Sequence, residues 1–144
     1  MELIVRQATM DDTEKLTELT SQLGYHSTEG ELAKRLAKLL SSDKYKVLVA
    51  QNENTLVLGW VVIEHRLTLE GGDRAEITGL VVSDSARGLG VGKQLVQSVL
   101  EWAKARQLDK VIVSSNVNRD GSHQFYKQIG FAERKTSKQY IKYL

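Results

Sequence analysis

Three glycines stand at alternate positions, Gly88, Gly90 and Gly92, between Arg87 and Lys93 in the stretch "SARGLGVGKQL". Residues of these types at this spacing suit a phosphate. Glycines let the backbone come close to an anion, and the N–H groups that open a helix bind it without any particular side chain. Arg87 adds a planar guanidinium shaped for phosphate oxygens. Two familiar phosphate loops fail on specific letters. A loop of the Gly-x-x-x-x-Gly-Lys-[Ser/Thr] type needs glycine where Arg87 stands and a magnesium-binding hydroxyl where Gln94 stands. A dinucleotide loop, Gly-x-Gly-x-x-Gly, counted from Gly88, needs its last glycine at Lys93. Two readings stay open at this level: a backbone anion site, or a tight strand-to-helix turn with no ligand.

The elements around the loop must place it. "LIVRQA" (3–8) predicts a strand, and "TMDDTEKLTELTSQL" a helix opening on Thr9 or Asp11, with Leu16, Leu19 and Leu23 on one face and Gly24 as its stop. A second helix fits "STEGELAKRLAKLLS", capped by Ser27 or Thr28, with Leu32, Leu36, Leu39 and Leu40 together. The period then changes. "YKVLVAQN", "TLVLGWVVIEHRLTLE" and "RAEITGLVVS" read as strands joined by turns at "ENT" and "EGGD". The third of these runs into the glycine loop. From Val91, the residues Leu95, Val96, Val99, Leu100 and Ala103 mark an amphipathic helix. "KVIVSS" predicts a short buried strand, "SHQFYKQI" a helix ended by Gly130, and "FAERKT" and "KQYIKYL" two closing strands. The order β-α-α-β-β-β-α-β-α-β-β predicts an α/β (α+β) fold. It has one mixed, mostly antiparallel, twisted sheet of six to seven strands flanked by four helices.

The chain has 144 residues, which suits a single domain over 1–144. Hydrophobic residues make up 41% and charged residues 26%, which argues against disorder and against a membrane protein. No apolar run is long enough to span a bilayer, and "MELIVRQATMDD" carries no secretory pattern. The absence of cysteine excludes a cysteine zinc site and disulfides, and fits a cytoplasmic protein. A net charge of +2, well dispersed, gives no reason to expect nucleic acid.

"LVVSDSARGLGVGKQL", followed by a helix, a strand and "NVNRDGSHQFYKQIGF", resembles the GNAT superfamily of acyl-CoA-dependent N-acetyltransferases. That family's loop reads [Arg/Gln]-x-x-Gly-x-[Gly/Ala], which Arg87, Gly90 and Gly92 match. Its second signature is matched by Phe125, Tyr126, Gly130 and Phe131. Many members carry Pro where this chain has Asp84 and Ala where it has Ser122. His123, and the run from Gln22 to Tyr25, resemble a subgroup of small bacterial-type members.

The resemblance implies acetyl-CoA as cosubstrate, with no metal, and a primary amine of a small molecule or peptide as acceptor. It implies that the backbone of Arg87, Gly88, Leu89, Gly90, Val91, Gly92 and Lys93 holds the pyrophosphate. A side chain at any of the three glycines would then crowd the phosphate oxygens. The pantetheine arm would lie along Leu80, Val81 and Val82 as an added strand. This requires that strand and "KVIVSS" to part at their C-terminal ends. Gly79 marks either a bulge there or a close contact. Asn118, and less directly Asn116, would bond the arm's amides, and a backbone N–H near Leu80 would polarise the thioester carbonyl. Tyr126 takes the role of proton donor to the departing thiolate. Glu76 is the family's base position and, by period-two alternation, shares a face with Thr78, Leu80 and Val82. Glu64 and His65 are its rivals. Tyr25, His26 and His65 are candidates for binding the acceptor.

The leading function is therefore an acyl-CoA-dependent N-acetyltransferase working by direct attack. A non-catalytic acyl-CoA-binding module or sensor would show the same loop, and a helix–sheet protein without cofactor is the blandest reading. The two closing strands could also pair between copies in a homodimer.

Overall fold

A computed structural model describes residues 2–115 and 120–144. They divide into two units, Met1–Val113 and Ser114–Leu144. The first holds a five-stranded sheet in the order β1-β2-β3-β4-β5: β1 (Leu3–Gln7), β2 (Tyr45–Asn52), β3 (Val57–Thr68), β4 (Gly72–Val82) and β5 (Val111–Val113). Neighbours are antiparallel except β4 and β5, which run parallel, as a crossover helix between them demands.

Three helices cover the sheet: α1 (Thr13–Gln22), α2 (Glu29–Leu40) and α3 (Val91–Ala105). Thr28 caps α2 by accepting from the Glu31 backbone N–H at 3.1 Å, while the Glu31 carboxylate accepts from the Thr28 N–H at 3.0 Å. This reciprocal box satisfies two of the helix's orphan donors. Gly24, at φ +101°, ends the α1 turn as expected.

The strands alternate between two cores. Val47, Val49, Trp60, Val62 and Val81 pack with Leu16, Leu19 and Leu36 of α1 and α2. The other face meets α3. A Cβ built on Gly59 would lie 3.0 Å from Val91 Cγ1 and 3.2 Å from Leu95 Cδ1. From Gly59 onward, even-numbered residues of β3 therefore face α1 and α2 and odd-numbered ones face α3, while Val57, on the other side of a register shift against β2, joins the α1–α2 core. Arg6 ties β1 to the turn before α1. Its guanidinium meets Asp12 through two 2.9 Å bonds, and Asp12 also accepts from the Thr9 N–H at 2.8 Å. The Arg6 hydrogen bond holds the Asp12 carboxyl below its ordinary range, against the opposing effect of burial.

The second unit carries α4 (Asp120–Gln128), ended by Gly130 at φ +101° and by a 2.9 Å bond from the Phe131 N–H to the Tyr126 carbonyl. The two closing strands expected over "FAERKT" and "KQYIKYL" do not form, so among the described residues the sheet has five strands rather than six or seven. The physical reason lies in what a strand must bury. Tyr140, Ile141, Tyr143 and Leu144 are almost fully exposed, and Arg134, Lys135, Lys138 and Lys142 crowd one short segment. No buried face offsets the ordering cost.

Candidate active site

Strand β4 hands the chain to the glycine loop through a short turn at Asp84–Ala86, and α3 begins at Val91. Gly88 and Gly90 both sit at φ +82°, with nothing within 4 Å of a built Cβ. Glycine is needed there for the left-handed backbone rather than to avoid a neighbouring protein atom. The Leu89 N–H between them turns back to the Ala86 carbonyl at 3.4 Å, and α3 starts with no side-chain cap and no acid in its first turn. Its positive end is left for an anion. Arg87 forms a 3.0 Å ion pair with Asp84, both well exposed. The residues present thus fit a pyrophosphate: unpaired helix-end donors, open space above two glycines, and Arg87 and Lys93 alongside.

The parallel pairing of β4 with β5 ends at Ile77 opposite Val113. Beyond it β4 runs on to Val82, and Leu80, Val81 and Val82 have no partner on that side among the described residues. The predicted parting of the two strands would continue through residues 116–119, which lie outside the described ones; the described pairing stops three positions short of Leu80. Asn116 and Asn118 lie outside the described residues.

The β3–β4 register slips by one between Val62 and Ile63. Val62 faces Gly79, Ile63 faces Ile77, and Thr78 is the extra residue. Gly79 answers both expectations at once. It borders the bulge, and a Cβ on it would come within 2.7 Å of the Trp60 ring. The bulge also overturns the expected alternation. Cross-strand partners share a face, so Glu76 lies with Glu64, Gly79 and Val81 on the α1–α2 side. Leu80 and Val82, past the extra residue, turn to the α3 side with Val61 and Gly59.

Tyr45, Glu64 and Glu76 form one row across β2, β3 and β4. The Tyr45 hydroxyl donates to Glu64 Oε2 at 2.9 Å, and that bond raises the phenol's pKa above its ordinary value. Glu76 pairs with Arg74 Nη2 at 3.1 Å and with Arg66 Nη1 at 3.4 Å. Arg66 also lies 3.7 Å from Glu64.

The rival base His65 points the other way. On the α3 face, its Nδ1 accepts from Arg106 Nε at 3.1 Å, and its Nε2 meets Asp73 Oδ1 at 2.9 Å. With Nδ1 accepting, Nε2 carries the proton toward the carboxylate. Arg106 further bonds the Asp43 carbonyl at 3.0 Å and stacks on Trp102. His65 is thus held inside a structural chain at the far end of α3 from the glycine loop.

Tyr126 belongs to the second unit, half-buried on α4, with its ring edge-on to Phe125 at 5.2 Å and to Phe131 at 5.6 Å. Tyr25 and His26 are exposed on the α1–α2 connection. Two residues on these elements escaped the sequence reading. Gln22 Oε1 accepts from the Asp84 N–H at 3.0 Å, so the end of α1 anchors the turn before the glycine loop across 62 positions. Gly59 lets α3 and β4 approach, since its built Cβ would lie 2.8 Å from the Val81 carbonyl oxygen. The Gln22–Tyr25 run was a signal for the first, and a lone glycine inside an apolar strand for the second.

The family model for acetyltransferases of the GNAT family matches residues 10–131, and the chain belongs to that family. It is 30% identical over 64% of its length to the uncharacterized N-acetyltransferase YhdJ of Bacillus subtilis. It is 32% identical over 61% of its length to glucosamine 6-phosphate N-acetyltransferase 1 of Oryza sativa subsp. japonica. The matches span 64% and 53% of those two relatives, under two thirds of each. A GNAT family acetyltransferase from Staphylococcus aureus has a crystal structure that superposes with a TM-score of 0.80 at 26% identity, covering 100% of both chains.

Proposed function

We propose that residues 1–144 act as one N-acetyltransferase domain that moves the acetyl group of acetyl-CoA to a primary amine of a small molecule or peptide. The observation that carries this reading is a left-handed glycine loop opening α3 directly after a strand whose β5-side pairing, among the described residues, ends at Ile77. Backbone N–H groups from Arg87 to Lys93 hold the pyrophosphate, and Leu80 to Val82 pair with the arm. Bound acetyl-CoA supplies the activated acetyl group. Glu76, directly or through water, takes a proton from the amine as its nitrogen attacks, and a backbone N–H near Leu80 polarises the carbonyl. Tyr126 gives a proton to the departing thiolate, a transfer that a phenol of ordinary pKa near 10 makes to a thiolate of pKa near 8.5 without large cost. Its role is assigned by the family motif. The relatives' printed activities support an amine acceptor.

The test is thiol release from acetyl-CoA against a panel of primary amines, with product mass. Release that depends on amine, falling by about 10²–10⁴ in Glu76→Gln, supports the reading. Tight CoA binding with no turnover on any amine favours a binding module instead.

A further inference from the structure

The face that carries Glu76 has a charge pattern that a sheet does not adopt for its own stability. Glu64 stands directly opposite Glu76, and in the next row on the same face Arg66 stands directly opposite Arg74. Like charges facing across a strand pair are destabilising, and here the arrangement occurs twice in adjacent rows. Three of the four side chains are largely withdrawn from water: Glu76 and Arg74 are 17% exposed and Glu64 19%. The diagonal ion pairs relieve the conflict only in part. Arg66 reaches its carboxylates at 3.4 and 3.7 Å, longer than the roughly 2.7–2.9 Å of a good charged hydrogen bond. The Nε–H of Arg74 is buried without a partner. Arg74 meets Glu76 at 3.1 Å, yet the arginine row keeps one donor without a partner among the described residues, and the single Arg66 guanidinium is shared between both carboxylates at long range.

One ligand relieves both rows: a cation beside the carboxylates and an anion beside the guanidiniums. Rows on one face of a strand are about 7 Å apart. We infer that the acceptor is a primary amine bearing a carboxylate or phosphate about 7 Å from its nitrogen, with Arg66 and Arg74 reading the anion while the amine lies at Glu76. This rests on the acetyl-transfer reading and adds the acceptor's class to it. A polycationic amine is disfavoured by the same arginines.

The experiment compares four acceptors on one alkyl chain, ending in a carboxylate, a phosphate ester, a hydroxyl or a second amine, by kcat/KM with acetyl-CoA. The wild-type protein is expected to favour an anionic acceptor over the hydroxyl by about tenfold or more. Whichever anion leads identifies the group recognised. Arg66→Gln, at a half-exposed position, is expected to collapse that ratio toward unity, and Arg66→Lys to restore part of it. The ratio cancels any common effect passed through Glu76. Equal use of the hydroxyl or diamine acceptor overturns the acceptor class and leaves acetyl transfer standing. A ratio unchanged in Arg66→Gln removes Arg66 from recognition. Turnover of none of the four, nor of any amine in the wider panel, overturns the acetyl-transfer reading and this inference with it.

Discussion

Gly59→Ala is the substitution whose consequence follows most directly from the geometry. A methyl at position 59 would sit 2.8 Å from the Val81 carbonyl oxygen, 3.0 Å from Val91 Cγ1 and 3.2 Å from Leu95 Cδ1. The carbonyl lies about 0.6 Å inside ordinary contact. It belongs to the β4 backbone beside the β3–β4 ladder, so it cannot withdraw freely. Val91 and Leu95 are buried at the start of α3, which leaves the helix to move off the sheet. Overpacking of this kind costs about 1–3 kcal/mol, and contact with backbone puts Gly59→Ala at the upper end. For a chain of this length that lowers Tm by roughly 5–10 °C. Displacing the start of α3 also displaces the N–H groups proposed to hold pyrophosphate, so CoA affinity should fall about tenfold, or about 1.4 kcal/mol. Calorimetric melting and titration with CoA measure both. Gly30→Ala is the control. It lies in α2, its Cβ would meet nothing closer than Thr28 Oγ1 at 4.0 Å, and it should stabilise by up to about 1 kcal/mol. A Gly59→Ala protein with wild-type Tm and CoA affinity would refute the claim that this glycine sets the distance between helix and sheet.

Asp84→Ala frees Arg87 from its exposed ion pair, so stability should change by less than about 1 kcal/mol while CoA binds severalfold more tightly in titration. Unchanged affinity would mean that Asp84 does not compete for the guanidinium. Asp12→Asn should destabilise by about 2 kcal/mol, read by denaturant unfolding. Because the folded pKa of Asp12 lies below its ordinary 3.8, its contribution is complete above that value and is lost as pH falls through the folded pKa. The variant should therefore lose that acid-side fall in stability, and an identical pH profile would contradict the assignment. His65→Gln should leave the pH dependence of turnover as in the wild type, whereas Glu76→Gln should remove its basic-group limb. The opposite result would return His65 to the role of base.

The order of elements was legible because period and punctuation agree. The cap at Thr28, the stop at Gly24 and the run of Val91, Leu95, Val96 and Val99 each encode one local choice. The glycine loop was legible because left-handed backbone demands glycine at 88 and 90. What was not legible depends on register. The extra residue at Thr78 has no letter of its own, yet it moves Leu80 and Val82 to the face opposite Glu76. The separation of His65 from Glu64, adjacent in sequence, needs only alternation, but the direction of each face needs the helices. The like-charge rows of Glu64–Glu76 and Arg66–Arg74 appear only once β3 and β4 are paired. The closing strands failed for a different reason. Tyr140, Ile141 and Tyr143 are good strand formers, but a strand forms only where a partner and a buried face exist.

The most direct test of the central claim is acetyl-CoA consumption by the purified protein, followed by thiol release and by the mass of the amine product, with Gly90→Val alongside. Amine-dependent release in equal amount with acetylated product is expected, and for Gly90→Val a raised KM for acetyl-CoA, since a branched residue at φ +82° distorts the loop. Amine-dependent turnover at an unchanged KM in Gly90→Val would contradict the placement of the cofactor, and no turnover with any amine would contradict the proposed reaction.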